Sequence, residues 1–299
     1  MYKPSGLMTS MVTSFDSTDH LDENGIIQNI AFQRQAGVKT VVILGGTGEP
    51  MSMTQSERER TIEISVAEAG TSIDVVSSAL VGSPEEIATD IALAARYGAK
   101  ACMISPPPFV RPSEEDVYQY VTQLALSAEI PLIIFNVPTR VGFLMSAQLI
   151  ERLVRDIDLL VGIKESSSDI ALFSRIRQNT PDDFACLQGS DILFLPSLAL
   201  GGDGAILAAA AAFPEHFLRI EAAMAAGNYE EARTWHYRLV PLLPLLYEAS
   251  HPAPLKQAIT LRGYKVGTTR APLYGISHSL SQRVLECSKT LMQQLNCAA

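Results

Sequence analysis

Along the chain, short runs of β-branched or apolar residues alternate with amphipathic segments of roughly 12–18 residues, the rhythm of strands feeding helices. The runs that predict strands cover residues 6–12, 40–44, 74–79, 101–105, 131–136, 159–164, 184–189 and 204–208. Between them, apolar positions at helical spacing predict helices over residues 22–36, 56–69 and 83–97, closed by Gly37, Gly70 and Gly98. Glycine suits those ends because the residue after a helix often takes left-handed backbone. Ser83 with Glu86 three residues on reads as a capping box, and Ser113 with Asp116 holds the same N-cap position. Strands apolar on both faces, each followed by a helix, predict an α/β fold with a parallel sheet covered by helices. Eight right-handed crossovers close into a (β/α)8 TIM barrel more readily than they form an open sheet. The first strand also runs into Thr13-Ser14-Phe15-Asp16, without the G-x-G-x-x-G turn of a dinucleotide-binding sheet. The barrel is assigned to residues 1–225, and residues 226–299 to a C-terminal helical extension of the same unit. That extension reads as helices near residues 229–249, 254–262 and 281–295.

Barrel enzymes carry their chemistry at the carboxyl ends of the strands. Four ends stand out: Leu44-Gly45-Gly46-Thr47-Gly48-Glu49-Pro50, Ser105-Pro106-Pro107-Pro108-Phe109, Phe135-Asn136-Val137-Pro138-Thr139-Arg140 and Gly162-Ile163-Lys164-Glu165-Ser166-Ser167. Lys164 follows a run that belongs in the core, which aims its amine into the barrel mouth. Burial disfavours the ammonium form and makes such an amine a nucleophile for imine chemistry. Taken alone, a lysine at a strand end equally reads as one reaching solvent or pairing with Glu165. The Gly45–Gly48 turn permits close backbone approach, and with the Thr47 hydroxyl it offers a nest for a carboxylate. It also reads as an ordinary strand-to-helix turn. Arg140, after a proline-fixed turn, offers a planar fork to a second substrate anion, or is simply a surface arginine.

Composition removes other classes. The chain has 299 residues, 47% apolar and 18% charged, the balance of a soluble globular enzyme. A net charge of -9 and a pI near 5.1 argue against nucleic acid or an anionic membrane as partner. The four cysteines (Cys102, Cys186, Cys287 and Cys297) lack metal-site spacing, and Cys297 near the terminus is the one expected to be exposed and oxidisable. None of the five histidines (His20, His216, His236, His251, His278) follows a predicted strand directly, so no ligand set for a metal-dependent aldolase is expected. Gly201-Gly202 precedes the eighth strand instead of following it, which weakens a phosphate-binding reading. No secretory leader and no membrane-spanning run are expected, and the cytoplasm is the expected compartment.

The sequence resembles the dihydrodipicolinate synthase / N-acetylneuraminate lyase family of class I aldolases, from Val12-Thr13-Ser14-Phe15 to Arg270-Ala271-Pro272-Leu273. Gly45–Glu49 is like the family's G-T-T-G-E or G-S-T-G-E, Phe135–Arg140 like Y-N-x-P-x-R, and Gly162–Ser166 like G-I-K-E/D-S. The resemblance implies a (β/α)8 barrel, usually a homotetramer, that joins a 2-oxo acid such as pyruvate to a lysine without metal or other cofactor. It makes Lys164 the Schiff-base lysine and Thr47 the holder of the pyruvate carboxylate. Gly189 and Ile206 become pocket-lining positions, and Arg140 the arginine at the pocket entrance. The departures are as informative. The family's proton-relay tyrosine is Phe135, its relay hydroxyl in the Gly-rich turn is Gly46, and the aromatic lent by a neighbouring subunit is Phe109. The expectation is therefore a lyase with a non-standard relay, with Ser166, Ser167 or a water as replacement acid. The alternatives are dihydrodipicolinate synthase proper and a catalytically impaired 2-oxo-acid binder. Gln55, Arg58 and Val81 also depart from the family's lysine-feedback site, so feedback inhibition is not expected.

Overall fold

The computed structural model describes residues 2–296. Eight strands form a closed, wholly parallel barrel in chain order: β1 (Gly6–Ser10), β2 (Thr40–Val42), β3 (Asp74–Ala79), β4 (Ala101–Ile104), β5 (Leu132–Asn136), β6 (Leu160–Glu165), β7 (Ala185–Gln188) and β8 (Gly204–Leu207). The last strand pairs with the first, Gly204 opposite Gly6. That seam requires glycine: Gly204 has φ +154, and a Cβ there would run into the Gly6 backbone. The expected barrel is the observed one. Several strands end earlier than the apolar runs predict, because at the carboxyl ends the chain splays to build the mouth. Met11 and Ile43 still donate to Val42 and Val76 beyond the regular ladder of β1 and β2.

Alternation in the strands sorts the core into layers. Met8, Val42, Val76, Met103, Ile133 and Leu187 fill the interior, while Val41, Ile43, Ala205 and Leu207 face the surrounding helices. Across three neighbouring strands, Phe135, Lys164 and Leu187 stand in register, so one interior layer carries the lysine beside the phenylalanine.

The capping box at Ser83/Glu86 forms as read, Ser113 caps its helix in a second box with Asp116, and Gly37 and Gly98 close their helices in left-handed conformation. Gly70 ends its helix with ψ -128, outside that region. The helix before it starts at Gln55, not Ser56: Thr54 is the cap, in a third box with Glu57. The segment read as one helix over 229–249 breaks into Tyr229–Leu239 and a 3₁₀ turn, Leu243–Leu246. Pro241 and Pro244 have no N–H to continue the ladder. The helices Ala253–Leu261 and His278–Asn296 then pack their apolar faces into the same outer core as β1 and β2. Among the described residues no helix is long and apolar enough to cross a membrane. Cys102 and Cys186 are buried free thiols, Cys287 is half-buried, and Cys297 lies outside the described residues.

Candidate active site

A cavity of about 590 Å³ opens at the carboxyl ends of the strands. Its walls come from the turn after β2, the turns after β5 to β8, and residues 240–251 of the C-terminal extension. Lys164 lies at its floor, only 7% exposed, with Nζ 4.4 Å above the centre of the Phe135 ring. Burial pushes its amine down to about 8 from an ordinary 10.5, and the nearby Asp191 carboxylate opposes the shift only in part. The amine does not pair with Glu165. Strand alternation turns that carboxylate away, where it accepts from Asn136 Nδ2 and the Ser167 amide, both at 2.5 Å. Asn136 in turn accepts from the Met145 amide at 3.1 Å, which fixes the exit of β5.

The Gly-rich turn folds as two 3₁₀ turns, Gly46–Gly48 and Pro50–Ser52. Leu44 (φ 57) and Glu49 (φ 56) flank it in left-handed backbone, which non-glycine residues adopt only when the surroundings hold them there. The hold is visible. Glu49 is buried, pairs with Lys256 at 2.7 Å, and accepts from the Arg270 amide at 3.0 Å. Thr13 Oγ1 donates to the Gly48 carbonyl at 2.6 Å. A Cβ on Gly46 would meet nothing within 4 Å, so a hydroxyl-bearing residue fits where the family carries its relay.

Gly189 is the opposite case. A Cβ there would overlap the Ser166 hydroxyl and stand 2.9 Å from Lys164 Cε. Gly189→Ala is therefore expected to displace the lysine and slow adduct formation with a 2-oxo acid by about tenfold or more. Timed borohydride trapping measures this, and an unchanged rate would show that the lysine tolerates the crowding.

Ser166 lines the cavity, and its buried hydroxyl has no hydrogen-bond partner among the described residues. Ser167 turns elsewhere and accepts from the Asp169 amide. Arg140, in the short helix Pro138–Val141, stands exposed on the rim. Ile206 does not line the cavity. Its place in β8 points it inward, where it is fully buried with Phe135 in the barrel interior. Phe109 is 98% exposed on left-handed backbone (φ 65), outside its own chain's cavity. Arg58 pairs with Asp90 at 2.9 Å in a buried contact between helices.

Sequence reasoning missed three residues. Asp191 follows Gly189 by two positions and is fully buried; its Oδ2 accepts from the Tyr247 hydroxyl at 2.5 Å. Tyr247 stacks on His251, ring centres 4.6 Å apart. His251 Nε2 lies 3.3 Å from Thr47 Oγ1, across 204 positions of sequence. Asp191 could have been noticed from its place just past a strand end. Nothing local marks Tyr247 or His251, which sit in a segment read as a plain appendage. Among the described residues no group of three or more His, Cys, Asp or Glu is placed to hold a metal ion.

The model of the Dihydrodipicolinate synthetase family matches residues 3–292. The chain belongs to that family. As a member of the dihydrodipicolinate synthetase family, it is a lyase of the Schiff-base-forming class. It is 35% identical over 286 residues to 4-hydroxy-tetrahydrodipicolinate synthase of Archaeoglobus fulgidus, covering 96% of this chain and 98% of that one. Among solved structures, dihydrodipicolinate synthase of Bacillus anthracis superposes with TM-score 0.93 at 27% identity, over 97% of this chain and 99% of the other. A monomeric dihydrodipicolinate synthase variant superposes with TM-score 0.91 at 27% identity, over 96% of each chain.

Proposed function

We propose that Lys164 condenses with pyruvate or a related 2-oxo acid, and that the resulting imine is the intermediate of a lyase or aldolase reaction with a non-standard proton relay. The observation that carries this reading is the buried lysine amine, lowered to about 8, at the floor of a cavity that also holds the Gly46–Thr47 turn and Arg140. The neutral amine adds to the ketone carbon, and loss of water leaves a protonated imine whose positive nitrogen draws electrons from the adjacent carbon. The Gly46–Thr47 turn receives the carboxylate, Gly189 leaves room for the lysine, Ser166 faces the intermediate, and Arg140 meets a second anion at the rim.

Phe135 stands beside the amine where the family has tyrosine. Its ring shields the lysine and sets its surroundings, but can neither give nor take a proton. This favours a lyase other than dihydrodipicolinate synthase proper, whose several proton transfers lean on that hydroxyl. Positioned acid–base groups are worth about 10²–10⁴ in rate. Phe135→Tyr, alone or with Gly46→Ser, is therefore expected to raise turnover at least about tenfold. Steady-state assays on the substrate found by trapping check this, and no gain would count against the relay account. The reading also includes a homotetramer in the cytoplasm. Support for assembly comes from Phe109 and Val110, exposed side by side in the segment between β4 and the next helix.

A screen of borohydride reduction with pyruvate, oxaloacetate and 2-oxo sugar acids, followed by intact mass, tests the function. A single adduct with at least one acid is expected. No mass gain with any acid contradicts it, and adducts without turnover would mark a 2-oxo-acid binder.

A further inference from the structure

With both relay hydroxyls of the family replaced, the imine's proton needs another acceptor, and a serine hydroxyl such as that of Ser166 is a weak base; the C-terminal extension brings a stronger one to the cavity. The Thr47 hydroxyl lies 3.3 Å from His251 Nε2. The other ring nitrogen, Nδ1, lies 3.1 Å from the Leu246 carbonyl, which can only accept. Nδ1 therefore carries the hydrogen, and in the neutral ring Nε2 is left as an acceptor aimed at Thr47. The imidazole is held on its flat face by Tyr247, stacked at 14°, whose hydroxyl is anchored on Asp191. Asp191 is anchored in turn by the Ala209 amide at 3.0 Å. These contacts link Asp191, Tyr247, His251 and Thr47 in one continuous line at the cavity wall.

We propose that His251, acting through the Thr47 hydroxyl, accepts the proton that converts the Lys164 imine into its enamine. The proposal rests on the Schiff-base reading above. In the step, the C–H bond on the carbon next to the imine breaks. Its electron pair becomes the new carbon–carbon double bond, and the imine π pair moves to nitrogen and neutralises it. The released proton goes to Thr47 Oγ1 as the Thr47 hydrogen passes to His251 Nε2, giving an imidazolium that keeps its Nδ1–H on Leu246. When the enamine attacks an aldehyde, the same path returns the proton to the alkoxide; in the cleavage direction it runs backwards. A hydroxyl has one hydrogen, so directing it to His251 leaves the amides of the Gly-rich turn to hold the substrate carboxylate.

Electrostatics favour the timing. Burial pushes the ring down to about 4 and holds it neutral; the bond to Leu246 opposes that shift, and the positive charges of Arg140 and Lys164 add to it. A bound carboxylate brings a negative charge beside Thr47, and enamine formation removes the positive charge at the lysine nitrogen. Both changes raise the basicity of His251 when it must accept a proton.

Two readouts separate the roles: borohydride trapping reports imine formation, and exchange of the pyruvate methyl hydrogens in D₂O, followed by NMR, reports enamine formation. The unmutated chain is expected to show both. His251→Gln keeps a polar contact to Thr47 but cannot carry the proton, so trapping should persist while exchange falls about hundredfold or more. His251→Ala should behave alike, with exchange partly restored by added imidazole, which also rules out a misfolded variant. Unchanged exchange in His251→Gln overturns the proposal, as does loss of trapping together with exchange, which would make the ring a shaper of the pocket. Trapping without exchange in the unmutated chain overturns it too. Absence of trapping there is the failure of the Schiff-base reading itself, and takes the proposal with it.

Discussion

Lys164→Met is expected to leave a folded barrel that gains no mass on borohydride reduction with any 2-oxo acid. Turnover should fall on the order of 10⁵-fold, because no other group can supply the covalent intermediate. The argument for an effect this large is geometric. Lys164 is the cavity's only lysine among the described residues, and its neighbours in the barrel layer, Phe135 and Leu187, are apolar. Methionine fills nearly the same volume and removes the cost of burying an amine. Denaturant unfolding should therefore show stability equal to or above that of the unmutated chain, since active-site groups commonly reduce stability. A large drop in stability would mean that the lysine holds the barrel together instead.

The second large effect is on stability and comes from outside the reaction path. Lys256 and Glu49 form a buried ion pair, with side-chain exposures of 3% and 2%. Lys256 comes from the helix Ala253–Leu261, so the pair ties the C-terminal extension to the Gly-rich turn of β2. Removing one member strands the other charge away from water. Lys256→Met is expected to cost about 3–5 kcal/mol, read from the urea midpoint. The 2-oxo-acid KM should rise as well, because Glu49 sits in left-handed backbone at the end of the turn proposed to receive the carboxylate. The double variant with Glu49→Gln removes the orphaned charge and should recover most of the loss. A single variant as stable as the unmutated chain would show that the turn is held by Thr13 and Arg270 without the pair.

These two lysines show what the sequence could and could not reveal. The proposed role of Lys164 came from the resemblance and not from the local pattern, but its place was legible because an apolar run ending in one basic residue has few places to go in a barrel. The eight strands were legible for the same reason, as were the caps at Ser83 and Ser113, where side chain and backbone lie three residues apart. Strand ends were read too long because the residues that splay to form the mouth are as apolar as those within the ladder. The helix start at residue 56 missed the Thr54 cap because Thr54 and Ser56 are both N-cap types and only the backbone decides between them. The extension was read as plain packing, with its break at Pro241 and Pro244 unnoticed. That break carries residues 240–251 across the mouth and brings Tyr247 and His251 to Asp191 and Thr47. Contacts spanning 56 and 204 positions leave no periodicity in a single sequence. Ile206 is a different case: its pocket role came from resemblance, and strand alternation turns it inward with Phe135, beneath the residues that line the cavity.

The central claim is that the amine of Lys164 is neutral often enough near physiological pH to attack a ketone. The most direct measurement is the rate of borohydride-trapped adduct formation as a function of pH, with the labelled peptide identified. Only the uncharged amine adds, so the rate should rise with pH through a midpoint near 8, and the label should map to Lys164. A midpoint left near the ordinary lysine value of 10.5, or a label on another side chain, would contradict it.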